Sequence, residues 1–156
     1  MVKKEKFIMR NKNAERRHYV APFVAGVETR PTMEEFLPLA KYITEITDGS
    51  DDVTDEFADF AGDGTVQTDV IGIQESWDVS GTFDATDAAQ GLIAGMKREV
   101  GNGRKVWHLI IDSNESQEVY GVATALSIVA GSGAAEDHEE FSCTLQFDQM
   151  PEVVAI

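Results

Sequence analysis

Between Val70 and Phe83 apolar and polar side chains alternate almost strictly. Ile71, Ile73, Trp77, Val79 and Phe83 share one parity, and Gln74, Ser76, Asp78, Ser80 and Thr82 share the other. A period of two is the signature of a strand with one face buried and one wet. The pattern returns near the C-terminus, where Phe141, Cys143, Leu145 and Phe147 oppose Ser142, Thr144, Gln146 and Asp148. No catalytic motif lies between the two segments, so the leading expectation is a structural sheet protein.

The spaces around these strands fill in the rest of the architecture. From Asp84 the period changes to that of a helix. Ala89, Leu92, Ile93, Met96 and Val100 form one apolar stripe, Asp84 or Thr86 can cap it, Lys97 and Arg98 suit its negative end, and Gly101 or Gly103 can terminate it. Val106–Ile111 is apolar on both parities, as a central strand is, and residues 119–130 place Tyr120, Val122, Leu126 and Ile128 on one face. Gly131, Ser132 and Gly133 mark a turn. Residues 40–47, rich in Tyr, Ile and Thr, read as a further strand. Thr32 and Glu35 have the spacing of a capping box for a short helical turn that Pro38 halts. The fold expected is α+β: a mainly antiparallel, β-sandwich-like domain with one flanking helix, an extended N-terminal arm and a long loop.

At 156 residues the chain has the length of one domain with a sizeable core. The expected division is a basic arm over residues 1–22, a β-rich body over 23–150, and a short tail over 151–156. Cys143 is the one cysteine, so no intrachain disulfide can form, and its parity points to a buried thiol. No apolar run approaches the roughly 20 residues needed to span a bilayer, and residues 1–6 lead into no signal-like segment, so no membrane anchoring is expected.

Charge is divided sharply along the chain. Residues 1–30 hold eight basic and three acidic side chains, a net of +5, which leaves −20 on the remainder of a chain whose total is −15. A basic arm on an acidic body suits attraction between copies, while the body repels phosphate polymers. Phe7, Ile8, Tyr19 and Phe23 give the arm something to bury on a partner. The stretch from Asp48 to Asp69 is dense in Asp, Glu and Gly and long for a connection inside a compact domain, as functional or disordered loops are. Asp48, Asp51, Asp52, Asp55 and Glu56 lack the alternating ligands, central Gly and final Glu of a calcium loop. Phe57, Phe60 and Val66 instead suggest a binding surface.

Sites for chemistry are sparse. His18, His108 and His138 lie far apart in sequence without metal-ligand spacing. His108 reads as a hydrogen-bonded core residue, and His138 as part of a solvated acidic turn. Gly62, Gly64, Gly101 and Gly103 read as turn residues and not a dinucleotide fingerprint, there is no nucleophile elbow, and Trp77 and Trp107 read as core or interface anchors. No enzyme and no cofactor or metal is expected. The alternatives from other classes are an acidic DNA mimic, a nucleic-acid-binding module using Lys3, Lys4, Arg16 and Arg17, and a small enzyme whose pocket joins His108 to carboxylates.

The run ESWDVSGTFDATDAAQGLIAGMK, followed by RKVWHLIID and two further strands, resembles the major tail tube proteins of long-tailed bacteriophages, over about Ala40 to Asp148. The resemblance implies a subunit that forms hexameric rings, stacked into a hollow tube that carries the genome. It implies a virion location after assembly in the host cytoplasm. Its partners would be other copies, tape measure, tail terminator and baseplate proteins, with DNA passing transiently. Three sets of residues follow as candidates. Lys3, Lys4, Phe7, Arg10, Arg16, Arg17 and Tyr19 would bind a neighbouring subunit. Asp51, Asp52, Asp55, Glu56, Phe57 and Phe60 would reach the next ring. Gln74, Glu75 and Asp78 would face the lumen, where carboxylates keep phosphates from adhering.

Overall fold

In a computed structural model, which describes residues 10–156, the polypeptide is built almost wholly of antiparallel strands. They are β1 (Arg17–Pro22), β2 (Leu37–Pro38), β3 (Ile43–Asp48), β4 (Asp51–Phe57), β5 (Gln67–Gln74), β6 (Ser76–Thr82), β7 (Lys105–Ile111), β8 (Gln117–Ala130), β9 (Glu140–Phe147) and β10 (Glu152–Ala155). One helix, α1 (Ala88–Gly95), follows β6. Eight strands make one sheet in the order β2-β1-β7-β8-β9-β6-β3, with β10 continuing along β8 beyond β9. β4 and β5 pair only with each other.

The sheet curls on itself, which supplies the two layers a sandwich needs. Its concave face holds the main core of Val20, Val79, Ile93, Val106, Phe141, Leu145 and their neighbours, closed over by α1. β9 has the strict alternation read from its sequence, with Phe141, Cys143, Leu145 and Phe147 all buried, and β7 is buried on both faces. The second face of β7 explains why. Trp107, Leu109 and Ile111 pack with Ala21 and Phe36 beneath the segment that joins β1 to β2.

Several boundaries differ from the sequence reading, each for a local reason. The alternation from Val70 to Phe83 is two strands, interrupted at Glu75, so Ile71 and Ile73 belong to the exposed hairpin while Val79 enters the core. Arg17–Pro22, expected within a free arm, is an inner strand between β2 and β7, where Val20 and Ala21 lose all solvent contact. The expected tail forms β10, which pairs with Gln117–Tyr120 of β8. In β8 the Leu126-to-Val129 bulge, with Ser127 at φ 52°, breaks the parity. Ile128 therefore shares the core with Ala123 and Ala125, and Tyr120 and Val122 face the other way. The turn at Met33–Glu35 is 3-10, and Thr32 makes no side-chain cap bond.

The helix is shorter than its apolar stripe. Asp87, not Asp84 or Thr86, is the cap, its carboxylate accepting from the Gln90 amide at 3.2 Å, while Asp84 is held in a turn with Thr86. Val100 lies past the end and is exposed. Arg104, rather than Lys97 or Arg98, meets the carbonyls beyond α1, donating to Lys97 and Glu99 and to Ala125 of β8.

Gln90 fastens α1 to the sheet. Its fully buried amide donates to the carbonyls of Lys41 and Thr82, each at 3.1 Å, and accepts from the Asp84 amide at 2.8 Å. Gln90→Leu keeps the volume and strands three backbone groups, so it is expected to cost about 3 kcal/mol in a urea unfolding experiment. A loss under about 0.5 kcal/mol would show that water reaches those groups.

Candidate functional site

The surface that departs most from an ordinary subunit is the β4–β5 hairpin. Every residue from Asp51 to Ile71 is exposed, so the hairpin has no core of its own. Seven carboxylates and no Lys or Arg lie between Asp51 and Gln74. Asp55 stands directly opposite Asp69, a like-charge cross-strand pair that weakens the hairpin. Among the carboxylates stand Val53, Phe57, Phe60, Val66, Val70, Ile71 and Ile73, each more than 40% exposed. A two-stranded hairpin with no buried face is marginal in water. An apolar surface of this extent on a projecting element marks a contact site.

The hairpin is nevertheless fixed where it leaves the body. The Gly49 amide donates to the Ser76 carbonyl at 2.9 Å, and the Ser76 amide to Ser50 Oγ at 3.2 Å. At the tip, Asp59 and Asp63 accept from the amides of Gly62 and Thr65. The Thr65 hydroxyl and amide hold the Asp63 carboxyl below its usual pKa. Asp51, Asp52, Asp55, Glu56, Phe57 and Phe60, expected in an irregular loop, therefore stand on a regular hairpin and its tip. Val53, Val70, Ile71 and Ile73 join them, having escaped the sequence reading because Ile71 and Ile73 were in phase with Val79.

Of the candidate subunit contacts, Lys3, Lys4 and Phe7 lie outside the described residues. Arg10 is exposed, Arg17 is exposed on β1, and Arg16 and Tyr19 are half-buried against the body. Arg17 pairs with Glu115 at 2.5 Å, and Tyr19 packs beside Trp107 and Leu109. Arg16 crosses the seam where the curled sheet nearly closes, donating to the Ile46 carbonyl of β3 at 3.1 Å and to His18 Nε2 at 2.9 Å. A cavity of about 370 Å³ opens along this seam, lined by Tyr19, Leu39, Ile43 and Ile46 with both arginines.

Gln74, Glu75 and Asp78 do not share a surface. Gln74 ends the hairpin, Glu75 occupies the break and accepts from the Trp77 indole at 3.0 Å, and Asp78 lies on the convex face of the main sheet. That face is polar across β3, β6 and β9. Glu45, Ser80 and Ser142 form one cross-strand row and Thr47, Asp78 and Thr144 the next, with Thr144 donating to Asp78 at 2.7 Å. Beyond them Thr124 and Lys105 hold Asp148.

The histidines serve structure. His108 is fully buried and its Nε2 lies 3.0 Å from His18 Nδ1, so the two imidazoles meet each other and not a carboxylate. His138 is exposed. No group of three metal-ligating side chains occurs among the described residues, and none of their helices is long and apolar enough to cross a membrane. Burial pushes the Cys143 thiol up to about 12, with the Asp78 carboxylate adding to it.

This fold recurs in solved structures. A chain from the tail of an empty gene transfer agent particle, refined with C6 symmetry, superposes with a TM-score of 0.65 at 11% identity, covering 94% of this chain and 99% of that one. A chain of the SPP1 tail tube gives 0.60 at 16% identity, over 94% and 78%. A chain of the PVC sheath–tube complex, an extracellular contractile injection system, gives 0.58 at 13% identity, over 99% and 100%. The chain has a tail tube fold. No protein-family model and no curated protein matches the sequence. The likeness to tail tube subunits anticipated from residues 40–148 is thus met in three dimensions, at identities where sequence alone carries little signal.

Proposed function

We propose that this protein is a structural subunit of a phage-type tail tube, assembling as hexameric rings that stack into a conduit for the genome. The observation that carries this reading is the β4–β5 hairpin, whose exposed apolar residues have nothing to pack on within the subunit. Its shape is regular and its base is fastened, which is what a docking element needs. The C6 symmetry of the gene transfer agent tail supports rings of six. The hairpin would reach the adjacent ring, and its carboxylates suit the basic residues that gather before β1.

The convex face of β3, β6 and β9 is the surface best suited to a lumen. It carries hydroxyls and carboxylates, with Thr144 bonded to Asp78, and it offers DNA few cations, so phosphates gain little by adhering. Asp78 belongs to that surface, and Gln74 and Glu75 border it. The role is structural and not catalytic. The partners follow from it: further copies, a tape measure protein inside, terminator and baseplate proteins at the ends, and location in a virion after assembly in the host cytoplasm.

Electron microscopy of the purified chain over a concentration series tests the proposal. Rings and tubes are expected. A chain that sediments as a monomer throughout, yet binds duplex DNA or a DNA-binding enzyme, would replace this reading with one of the alternatives. The arm is tested separately by removing residues 1–9, which carry Lys3, Lys4 and Phe7 and leave β1 intact. Folding should be unchanged and the subunit concentration needed for tubes should rise at least about tenfold, the equivalent of about 1.4 kcal/mol per subunit added. An unchanged concentration would remove the arm from the interface.

A further inference from the structure

The seam of the curled sheet is held by a chain of polar groups that runs from solvent into the core. Arg16 donates from Nη1 to Asn13, from Nη2 to the Ile46 carbonyl and from Nε to His18 Nε2. A guanidinium has donors only, so His18 Nε2 must accept, and the His18 proton therefore sits on Nδ1. It is donated to His108 Nε2 at 3.0 Å, which fixes the second imidazole in the same tautomer. The chain ends at His108 Nδ1, a buried donor with no partner. Both rings are neutral in this arrangement, and each junction depends on that.

The surroundings offer no relief to an added proton. β1 and the turn before it present Arg16, and β7 presents His108. β6 presents Trp77, edge-on to His18 at 5.2 Å and with Arg16 over its ring, its indole already bonded to Glu75. β9 presents Phe147, stacked on His108 at 5.3 Å, β8 places Gly121 opposite His108, and β3 contributes the Ile46 carbonyl. From α1 come the apolar Ala89 and Ile93. Arg17 and Glu45 line the seam cavity but face solvent, and Arg17 is bound to Glu115. The nearest charge to His18 is thus the Arg16 cation.

We propose that Arg16, His18 and His108 form an acid-sensitive clasp, which holds β1 against β3 while His18 is neutral and releases the seam when His18 takes up a proton. A proton on His18 Nε2 replaces the acceptor of Arg16 with a donor and sets two cations against each other at 2.9 Å. Arg16 must then swing out, and the Ile46 carbonyl loses its partner. Burial and the neighbouring Arg16 hold His18 at about 3 in the closed seam, against 6.5 for a free imidazole. The open form binds more protons between those values. Closure is therefore fully favoured above pH 6.5 and weakens as pH falls toward 3, by up to tenfold per unit. The device is a property of one subunit and stands apart from the assembly proposal.

Spin labels on Ala14→Cys and Thr44→Cys straddle the seam, and the buried Cys143 remains unlabelled. Their separation, read by pulsed EPR on the full chain at subunit concentrations too low for association, should be single-valued at pH 7. A longer-distance population should grow as pH is lowered, before the far-UV circular dichroism of the sheet changes. His18→Gln, which can still accept from Arg16 and donate to His108 but cannot titrate, should hold the short distance to lower pH. Three results would overturn the clasp: an unchanged distance throughout, a change that coincides with loss of the sheet signal, or widening in His18→Gln at the same pH. If His18→Gln fails to fold, proton-detected nitrogen spectra of the native histidines decide the matter. His18 protonation must accompany the widening, and widening while His18 stays neutral rejects the proposal.

Discussion

Excising the hairpin, by joining Ser50 to Glu75 through two glycines, is expected to leave a folded subunit that forms no tubes. The graft is geometrically mild, because Gly49 and Ser76 are already hydrogen-bonded across the hairpin's base. Little folding energy leaves with residues 51–74, since their side chains are almost entirely exposed and one strand pair carries an opposed Asp55 and Asp69. The melting temperature should therefore move by no more than a few degrees, as expected for a change of under about 1 kcal/mol. Assembly should be lost altogether. Seven apolar side chains, each burying its surface against a neighbour, would contribute on the order of 1 kcal/mol or more apiece. Charge-neutral replacement of Phe57 and Phe60 by Ser should weaken tubes in the same direction and by less. Tubes of normal yield from the excised chain, seen by electron microscopy, would remove the hairpin from the contact.

The largest stability loss from a single added methyl is expected at Gly81. A Cβ there would stand 2.1 Å from the Tyr42 carbonyl oxygen and 2.8 Å from the Ile43 Cα. Both are backbone atoms, so no rotamer change relieves the overlap. Tyr42 is itself committed: it has φ 63°, leads into the β3–β6 bulge, and accepts from the Thr82 amide at 2.8 Å. Gly81→Ala can be accommodated only by moving β3 off β6, with loss of the pairing that runs to Asp48 and Trp77. The expected cost is about 3 kcal/mol, at the upper end for overpacking, because the obstacle is main chain. Chemical denaturation checks it. A cost below about 1 kcal/mol would mean that the edge strand yields easily. Tyr42→Gly provides the converse, since it removes a left-handed strain and should leave stability equal or higher.

Strand identity was legible in the sequence wherever burial, on one parity or on both, ran the length of the element. Phe141 to Phe147 and Val106 to Ile111 are the clearest instances, because each strand lies inside the sheet and its neighbours enforce the pattern. The pattern misled where it outran the element. Ile71 and Ile73 keep step with Val79, but the chain leaves the body at Glu75, and a period of two does not reveal whether a covering layer exists. Val100 continues the helical stripe of Ile93 and Met96, yet α1 has ended at Gly95 and Arg104 has taken the carbonyls beyond it. Simple parity places Ile128 with Tyr120 and Val122, and one left-handed residue, Ser127, moves it to the opposite face.

The site was half visible by the same logic. Carboxylates and aromatics between Asp48 and Asp69 marked an excursion that has no place in a core. Their arrangement as paired strands depends on residues 67–74, of which the alternation places 70–74 in one element with Val79. Arg16, Arg17 and Tyr19 looked like an arm because cations surround them. Val20 and Ala21 were too short an apolar run to announce an inner strand. The contact from Arg16 to His18 and His108 was beyond sequence altogether, since it joins residues 90 positions apart on the paired strands β1 and β7, while Arg16 reaches β3 across the curl of the sheet.

The most direct test of the central claim is a cryo-EM reconstruction of the assembled full-length chain. It should contain six-membered rings stacked into a tube, with Phe57, Phe60 and Ile71 of each hairpin buried against a subunit of the next ring and Asp78 facing the bore. An assembly whose hairpins project into solvent, or a chain that remains a single subunit at every concentration, would contradict it.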